Sequence, residues 1–241
     1  MKRPIACGLS ALVLLASSSF VLAASTLIDD FTTTTKLGSL QSRNTVGTSS
    51  FIDDQGMNII TGTGTAGSGF RDVFLHLDSL SGSGNVTVQI AGGSIEFTSS
   101  VDYKGRLGLR YDNFTPGANI DPGPDGALVF LVNPDAAAVT GTGMKITAKF
   151  TGTGSLGSVT LSTTVTTFGP QFVFIPFTPA SIPIIQSLAK LEIEFDPQKA
   201  GDFKADVIGT QVIPEPSAIA LAASALLVVA GCVVMRRRFA I

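Results

Sequence analysis

Val86-Thr87-Val88-Gln89-Ile90 and Leu191-Glu192-Ile193-Glu194-Phe195 decide the fold class of this chain. In both stretches an apolar side chain alternates with a polar one. This period of two is typical of a β-strand that buries one face and exposes the other. Stretches rich in Val, Ile, Thr and Phe recur from about residue 25 to residue 212. The sequence therefore predicts an all-β domain over residues 25–212.

Further strands are predicted in ten other segments, which clusters of Gly, Pro, Asp, Asn and Ser separate. These segments are 27–33, 50–61, 72–77, 94–100, 106–111, 127–132, 144–150, 159–167, 171–177 and 202–212. About a dozen short strands at regular spacing favour a β-sandwich. Gly-Thr pairs also recur, but they have no fixed period, which disfavours a repetitive β-helix. One helical turn is predicted over residues 181–188, where Pro183 limits its length.

The first 24 residues have the pattern of a secretory signal peptide. Lys2 and Arg3 precede an apolar stretch centred on residues 9–15, and small residues lead up to Ala23 and Ala24. This pattern predicts export through the Sec machinery and cleavage by signal peptidase after Ala23 or Ala24. A retained N-terminal anchor is the alternative, which the small residues at the end of the apolar stretch disfavour.

Residues 217–235 form an uncharged run rich in Ala, Leu and Val. As a helix, this run would be about 28 Å long, close to the thickness of the hydrocarbon core of a bilayer. Arg236, Arg237 and Arg238 follow it directly, and the positive-inside rule places such a cluster in the cytoplasm. The sequence therefore predicts one transmembrane helix with the main domain outside the cytoplasm. A buried core helix is the alternative, which the terminal position and the arginines disfavour.

Pro214, Glu215 and Pro216 stand directly before this run. Together with the span and the arginines, they make residues 213–241 resemble the PEP-CTERM sorting tail of Gram-negative bacteria that make extracellular polysaccharide. The resemblance implies that exosortase, a membrane-embedded cysteine transpeptidase-like protein, recognises the tripeptide and cleaves near it. It also implies a protein that is transiently anchored in the inner membrane and then reaches the cell surface or the extracellular space.

Composition limits what the exported domain can do. Five of the 16 Lys and Arg residues and one of the 18 Asp and Glu residues lie in the terminal segments, so residues 25–212 carry a net charge of −6. A negative balance does not indicate a nucleic-acid partner. Cys7 and Cys232 both lie in the terminal segments. The domain can therefore form neither a disulfide nor a thiolate metal site.

The first and last predicted strands carry a second resemblance. Leu27-Ile28-Asp29-Asp30-Phe31 and residues 201–208 are similar to the first and last strands of jelly-roll, carbohydrate-binding-like domains. Residues 67–73 and 109–112 look like segments of other PEP-CTERM proteins. The resemblance implies a jelly-roll-like β-sandwich whose first and last strands are adjacent.

No catalytic residue is predicted. His76 is the only histidine, and it alternates with Leu75 and Leu77, which favours a position on a strand surface over a catalytic role. The domain has no cysteine nucleophile, and the chain contains no Gly-x-Ser-x-Gly, His-Glu-x-x-His or P-loop motif. Arg71 and Asp72 are interpreted as a buried ion pair, with a sugar-binding pair as the alternative.

Asp29, Asp30 and Asp206 are the candidate ligands of a structural Ca²⁺ between the first and last strands, since calcium prefers carboxylate oxygens. The alternative is that these side chains cap the local backbone, as Asp commonly does in turns. No other cofactor is predicted.

The sequence favours an exported, non-enzymatic surface or matrix protein that is processed by exosortase and associated with exopolysaccharide. One alternative is a carbohydrate-binding adhesin or lectin-like module. Another is a polysaccharide hydrolase, which would need two carboxyl groups facing each other across a cleft. The sequence does not place such a pair.

Overall fold

Alternating apolar residues build fourteen β-strands and one short helix among the residues that the computed structural model describes. These are residues 25–31, 41–43, 49–54, 61–62, 70–80, 85–101, 103–112, 114, 118–123 and 125–213. The strands are β1 (Ser25–Asp29), β2 (Gln41–Arg43), β3 (Ser49–Asp54), β4 (Thr61–Gly62), β5 (Phe70–Leu80), β6 (Val86–Ala91), β7 (Ser94–Ser99), β8 (Tyr103–Asp112), β9 (Gly126–Pro134), β10 (Met144–Gly152), β11 (Ser158–Val165), β12 (Gln171–Pro176), β13 (Leu188–Pro197) and β14 (Phe203–Val212). The helix α1 covers Ile182–Ile185.

The strands form two antiparallel sheets. The eight-stranded sheet has the order β12-β9-β14-β7-β6-β2, and β1 pairs with both β14 and β4. The six-stranded sheet has the order β11-β10-β13-β8-β5-β3. Every strand pairing is antiparallel. The predicted all-β sandwich is therefore confirmed.

Phenylalanine rings fill the space between the two sheets. Phe195 on β13 projects from the six-stranded sheet and meets Phe130 edge to face, with 5.8 Å between ring centroids. It also stacks on Phe203 at 5.2 Å, and Phe203 stacks on Phe97 at 5.0 Å. All four side chains are buried. Offset and edge-to-face contacts of this kind stabilise a core beyond the area that the rings bury.

The first and last strands are adjacent, as predicted. β9 lies along the whole of β14 on one side. The other side of β14 is shared, because β7 pairs with its beginning and β1 pairs with its end, where Ser25 lies opposite Gln211. β14 is therefore the strand that connects the start of the domain to the rest of the eight-stranded sheet.

Apart from shifts of a few residues at strand ends, the observed strands differ from the predicted ones in three places. The described residues of the strand predicted over residues 50–61 belong to two strands in different sheets, β3 and β4. The strand predicted over residues 27–33 ends at Asp29, because the Asp29 carboxylate accepts a hydrogen bond of 2.8 Å from the Phe31 backbone N–H, and Phe31 turns the chain with a φ of 53°. β2 was not expected from the sequence. The helical turn predicted over residues 181–188 is confirmed as α1.

Among the described residues, no helix is long and apolar enough to cross a membrane. The signal peptide with Ala23 and Ala24, the Pro214-Glu215-Pro216 motif, the span over residues 217–235 and the arginines that follow it all lie outside the described residues. These assignments remain predictions.

Candidate functional site

Charged side chains are concentrated on the outer face of the six-stranded sheet. On β8, the inward residues Leu107, Leu109 and Tyr111 are buried, and the residues between them point outward. The same alternation holds on β5, β10 and β13. The outward residues on these four strands include Asp72, Phe74, His76, Asp78, Lys104, Arg106, Gly108, Arg110, Asp112, Lys145, Thr147, Lys149, Lys190, Glu192, Glu194 and Asp196.

Strand register brings two rows of these residues side by side across the sheet. The first row is Thr147, Glu194, Gly108 and Phe74, on β10, β13, β8 and β5. The second row is Lys149, Glu192, Arg110 and Asp72 on the same four strands. Directly opposite residues on one face of an antiparallel sheet have side chains in contact range. The two rows therefore form one continuous surface.

A shallow groove of about 340 Å³ opens between these rows. Gly108 has no side chain, and the neighbouring Arg106, Arg110, Glu192 and Glu194 are all long, so the glycine leaves a depression in the middle of the face. A Cβ atom added at Gly108 would lie 3.3 Å from the Phe74 Cβ. The groove is lined by Phe74, Gly108, Leu109, Arg110, Thr147, Lys149, Thr160, Glu192, Ile193 and Glu194.

Ion pairs hold the charged side chains around the groove. Arg110 donates to Asp72 at 2.5 and 2.8 Å, and its guanidinium lies over the Phe74 ring at 5.2 Å from the centroid. Glu192 faces Lys190 at 3.1 Å and Lys149 at 3.7 Å. The Glu192 pairs are partly exposed and add little stability, because water screens them, whereas Asp72 is buried. Their effect is to fix hydrogen-bonding groups at defined places on an open surface.

Arg106 orders the carboxylates at one end of the same face. It donates to Glu194 at 3.0 Å and to both oxygens of Asp78 at 3.0 Å. Partial burial lowers the pKa of the Arg106 guanidinium, but Asp78 and Glu194 outweigh this effect and raise the pKa above its ordinary value. Arg106 therefore stays cationic. His76 lies on the outer face between buried Leu75 and Leu77, as the alternation predicted, and contacts Asp78 at 3.2 Å.

A second cluster of charged groups lies in the core. Arg71 donates to both oxygens of Asp29, at 2.9 and 2.7 Å, and the Tyr111 hydroxyl donates to Asp29 at 2.8 Å. Arg71 and Asp29 are 1% and 2% exposed, so the pair is out of contact with water. Burial raises the pKa of Asp29, against the lowering effect of Arg71. Burial, with the adjacent Asp29 charge, also raises the pKa of Tyr111 well above its ordinary value.

The predicted ion pair between Arg71 and Asp72 is wrong. Neighbouring residues on a strand point to opposite faces of the sheet, so the two side chains cannot meet. Arg71 points inward to Asp29, and Asp72 points outward to Arg110. The sequence identified both residues as members of ion pairs but assigned them the wrong partners.

The candidate calcium ligands are not gathered around one point. Asp29 pairs with a guanidinium, which takes the place of the cation that the sequence predicted there. Asp30 is half-buried just after β1, and Asp206 lies at a bulge in β14, where its Oδ1 atom is buried without a hydrogen bond. In the described part of the chain, no three His, Cys, Asp or Glu side chains are placed to hold a metal ion.

The groove itself was not predicted from the sequence. One local signal was present, since Gly108 interrupts a strand between Leu107 and Leu109, and a glycine inside a strand often marks a close approach of another group. Leu109 and Arg110 follow Gly108 on β8, and the other lining residues come from β5, β10, β11 and β13, which are far apart in the sequence.

No family model and no curated protein matches this chain. Solved structures that it resembles include PfGH50B, at 13% identity over 58% of this chain and 22% of that protein, with a TM-score of 0.38. The chain thus spans less than a quarter of PfGH50B.

Two further solved structures are carbohydrate-binding modules. The xylan-binding module CBM15 is 12% identical over 57% of this chain and 90% of the module, with a TM-score of 0.38. The family 11 module of the cellulosomal cellulase Lic26A-Cel5E of Clostridium thermocellum is 16% identical over 78% of this chain and 94% of the module, with a TM-score of 0.35. At these values, the likeness is no evidence for a shared ligand or activity.

Proposed function

We propose that the exported domain is a non-catalytic carbohydrate-binding domain whose ligand lies in the groove over Gly108. The observation that carries this proposal is the lining of the groove, where hydrogen-bond donors and acceptors stand around an apolar floor. Glu192 and Glu194 can each accept hydrogen bonds from sugar hydroxyls, and Arg110 and Lys149 can donate to them. The Phe74 ring offers an apolar surface beside these groups. Polar groups placed around an apolar floor are typical of a ligand site.

The charge of the groove favours a neutral sugar chain over a polyanion. Its lining holds two cations, Arg110 and Lys149, and two anions, Glu192 and Glu194. A polyanionic ligand would need an excess of cations around it. An open groove on a sheet face also leaves both ends free, so a long chain could pass across it.

A hydrolase is disfavoured by the surroundings of the two glutamates. A glycosidase needs one carboxyl group that stays protonated, which commonly requires an apolar pocket. Glu194 instead faces Arg106 at 3.0 Å, and Glu192 faces Lys190 at 3.1 Å. Neither carboxylate has the surroundings of a general acid.

The terminal segments complete the proposal. The signal peptide 1–24 would direct export, and the span 217–235 would hold the domain outside the inner membrane of a Gram-negative bacterium. Exosortase would then cleave near Pro214-Glu215-Pro216 and release the domain to the cell surface or the matrix, where the groove would bind exopolysaccharide. A jelly-roll-like order of strands remains part of the same proposal. These assignments rest on the sequence patterns alone.

Filling the groove, or removing its charged acceptors, is expected to weaken carbohydrate binding. Gly108→Leu places a side chain over the Phe74 ring, and Glu192→Gln with Glu194→Gln removes two charged acceptors without changing their shape. Loss of hydrogen bonds to a charged group corresponds to roughly a 10- to 100-fold weaker affinity. We would identify a ligand for the full chain on an array of neutral glycans and measure its affinity by calorimetry.

The control for this experiment is Gln211→Leu, an equally simple change at an exposed strand position on the other sheet. It should leave the affinity unchanged. The proposal is wrong if the wild type binds no glycan, or if all the variants bind as the wild type does.

The sorting proposal predicts that the secreted protein is smaller than the protein retained in the membrane. Intact-mass analysis of secreted wild type should show loss of both ends, since signal peptidase and exosortase each cleave once. Replacing Pro214, Glu215 and Pro216 with alanine should leave the protein in the membrane with its complete C-terminal tail. If both proteins keep the tail, the span is a permanent anchor and exosortase does not process this chain.

A further inference from the structure

β12 lies at the edge of the eight-stranded sheet, and among the described strands it pairs only with β9. One hydrogen bond shows which residues of β12 have backbone groups that do not bond to β9. The Phe177 N–H donates to the Gly126 carbonyl at 2.8 Å. Bonded and non-bonded pairs alternate along an antiparallel ladder. The backbone groups that hydrogen-bond to β9 are therefore those of Gln171, Val173 and Ile175. Phe172 and Phe174 direct their N–H and C=O groups away from the sheet.

The side chains of this edge are apolar as well. Phe172 is 64% exposed and Phe174 is 38% exposed on the outer face. Their neighbours across β9 are Leu131 and Val129. β12 contains no charged residue. Natural proteins commonly protect an exposed edge strand with charges, a bulge or a covering segment. In the described part of the chain, proline at positions 170 and 176 is the protection that this edge has.

We propose that β12 pairs with β12 of a second copy of this chain, antiparallel and about a two-fold axis at Val173. In this register Phe172 lies opposite Phe174 of the second copy, and the two free N–H and two free C=O groups of each chain form four hydrogen bonds. Pro170 then lies opposite Pro176 of the second copy. Since proline has no N–H, the ladder ends there on both sides.

The second copy fits this edge because the edge is complementary to itself. A two-fold interface uses the same surface on both partners, and antiparallel pairing of one strand with its own copy satisfies this condition. The absence of charge on β12 gives a foreign charged partner nothing to recognise. In the dimer, β12 of each copy is hydrogen-bonded on both sides. Assembly through β12 therefore stops at a pair of sandwiches and does not grow into a fibre.

A disulfide at position 173 tests the register. Non-bonded pairs in antiparallel sheets have Cα atoms about 4.5 Å apart, within the range that a disulfide spans. Val173→Cys in full-length protein with Cys7→Ser and Cys232→Ser should give a covalent dimer on mild oxidation. Ser162→Cys in the same background should give none, because it lies on the other sheet's edge strand β11. Equal cross-linking at both positions, or none at position 173, overturns the proposal.

Charge on the edge tests the strength of the association. Phe172→Lys with Phe174→Lys would place lysine opposite lysine twice across the axis. We expect this variant to raise the dissociation constant at least tenfold in sedimentation experiments on the full chain in density-matched detergent. Ser162→Lys with Thr164→Lys, at exposed positions of β11, should leave it unchanged. If the wild type stays monomeric at all concentrations, the proposal is wrong. The occupant of the β12 edge would then be a foreign strand or a polysaccharide.

Discussion

Replacing Arg71 with leucine is expected to lower the free energy of unfolding by about 3–5 kcal/mol, the range for removing one partner of a buried ion pair. Asp29 is 2% exposed and would lose the guanidinium with which it pairs. The substitution would also remove the guanidinium that lies over the Phe31 ring at 5.4 Å. Asp29 at the end of β1 and Phe31 just after it would then each lose a contact to Arg71 on β5.

The cost of this substitution is expected to depend on pH. Burial raises the pKa of Asp29 above its ordinary value of 3.8, and Arg71 opposes this rise. Without Arg71, the pKa of Asp29 in the folded state rises further. A carboxyl group with a raised folded-state pKa stabilises the fold fully below pH 3.8, and this contribution is lost as the pH rises through the folded-state value. The variant should therefore differ less from wild type at pH 4 than at pH 8.

Urea unfolding followed by far-UV circular dichroism at both pH values would measure this difference. The control is the double variant Asp29→Asn with Arg71→Leu, which removes both charges. It should recover part of the lost stability, since replacing both members of a buried pair is far less costly than removing one. Equal losses for the single and double variants would show that packing of the arginine stem, and not its charge, stabilises this region.

Phe195→Ala is expected to cost about 3–5 kcal/mol, because it removes a large buried ring and leaves a cavity. Phe195 contacts two rings of the opposite sheet, Phe130 and Phe203. Urea unfolding of the full chain would measure the loss. Phe168→Ala serves as the control, because Phe168 is 72% exposed and its removal should change stability by less than about 0.5 kcal/mol.

A small effect of Phe195→Ala would contradict the packing described for the core. It would mean that neighbouring side chains close the cavity. The control at Phe168 excludes a general effect of removing a phenylalanine.

The strands with strict alternation were predictable because each of them buries one face. Leu191 to Phe195 and Val86 to Ile90 alternate for that reason, and both lie inside observed strands. β2 could not be predicted in this way, since Gln41, Ser42 and Arg43 include no apolar residue. Its place in the sheet depends on pairing with β6, which is a tertiary contact.

The groove and the buried pair could not be predicted, because they depend on strand register. Asp29 and Arg71 meet across two sheets, and nothing local distinguishes Asp29 from its neighbour Asp30. Gly108 and Glu194 are opposite each other only because β8 and β13 pair in one particular alignment. A sequence pattern gives the face on which a side chain lies but not the residue opposite it.

The shared side of β14 sets an order of events during folding. Among the described strands, β1 is the first to be synthesised and β14 is the last. Contacts between the ends of a chain form slowly, because a long loop must close before they contribute stability. β1 therefore cannot pair with β14 until the chain has been synthesised to its last described strand. A chain interrupted before residue 203 would leave three strand edges open, on β1, β7 and β9.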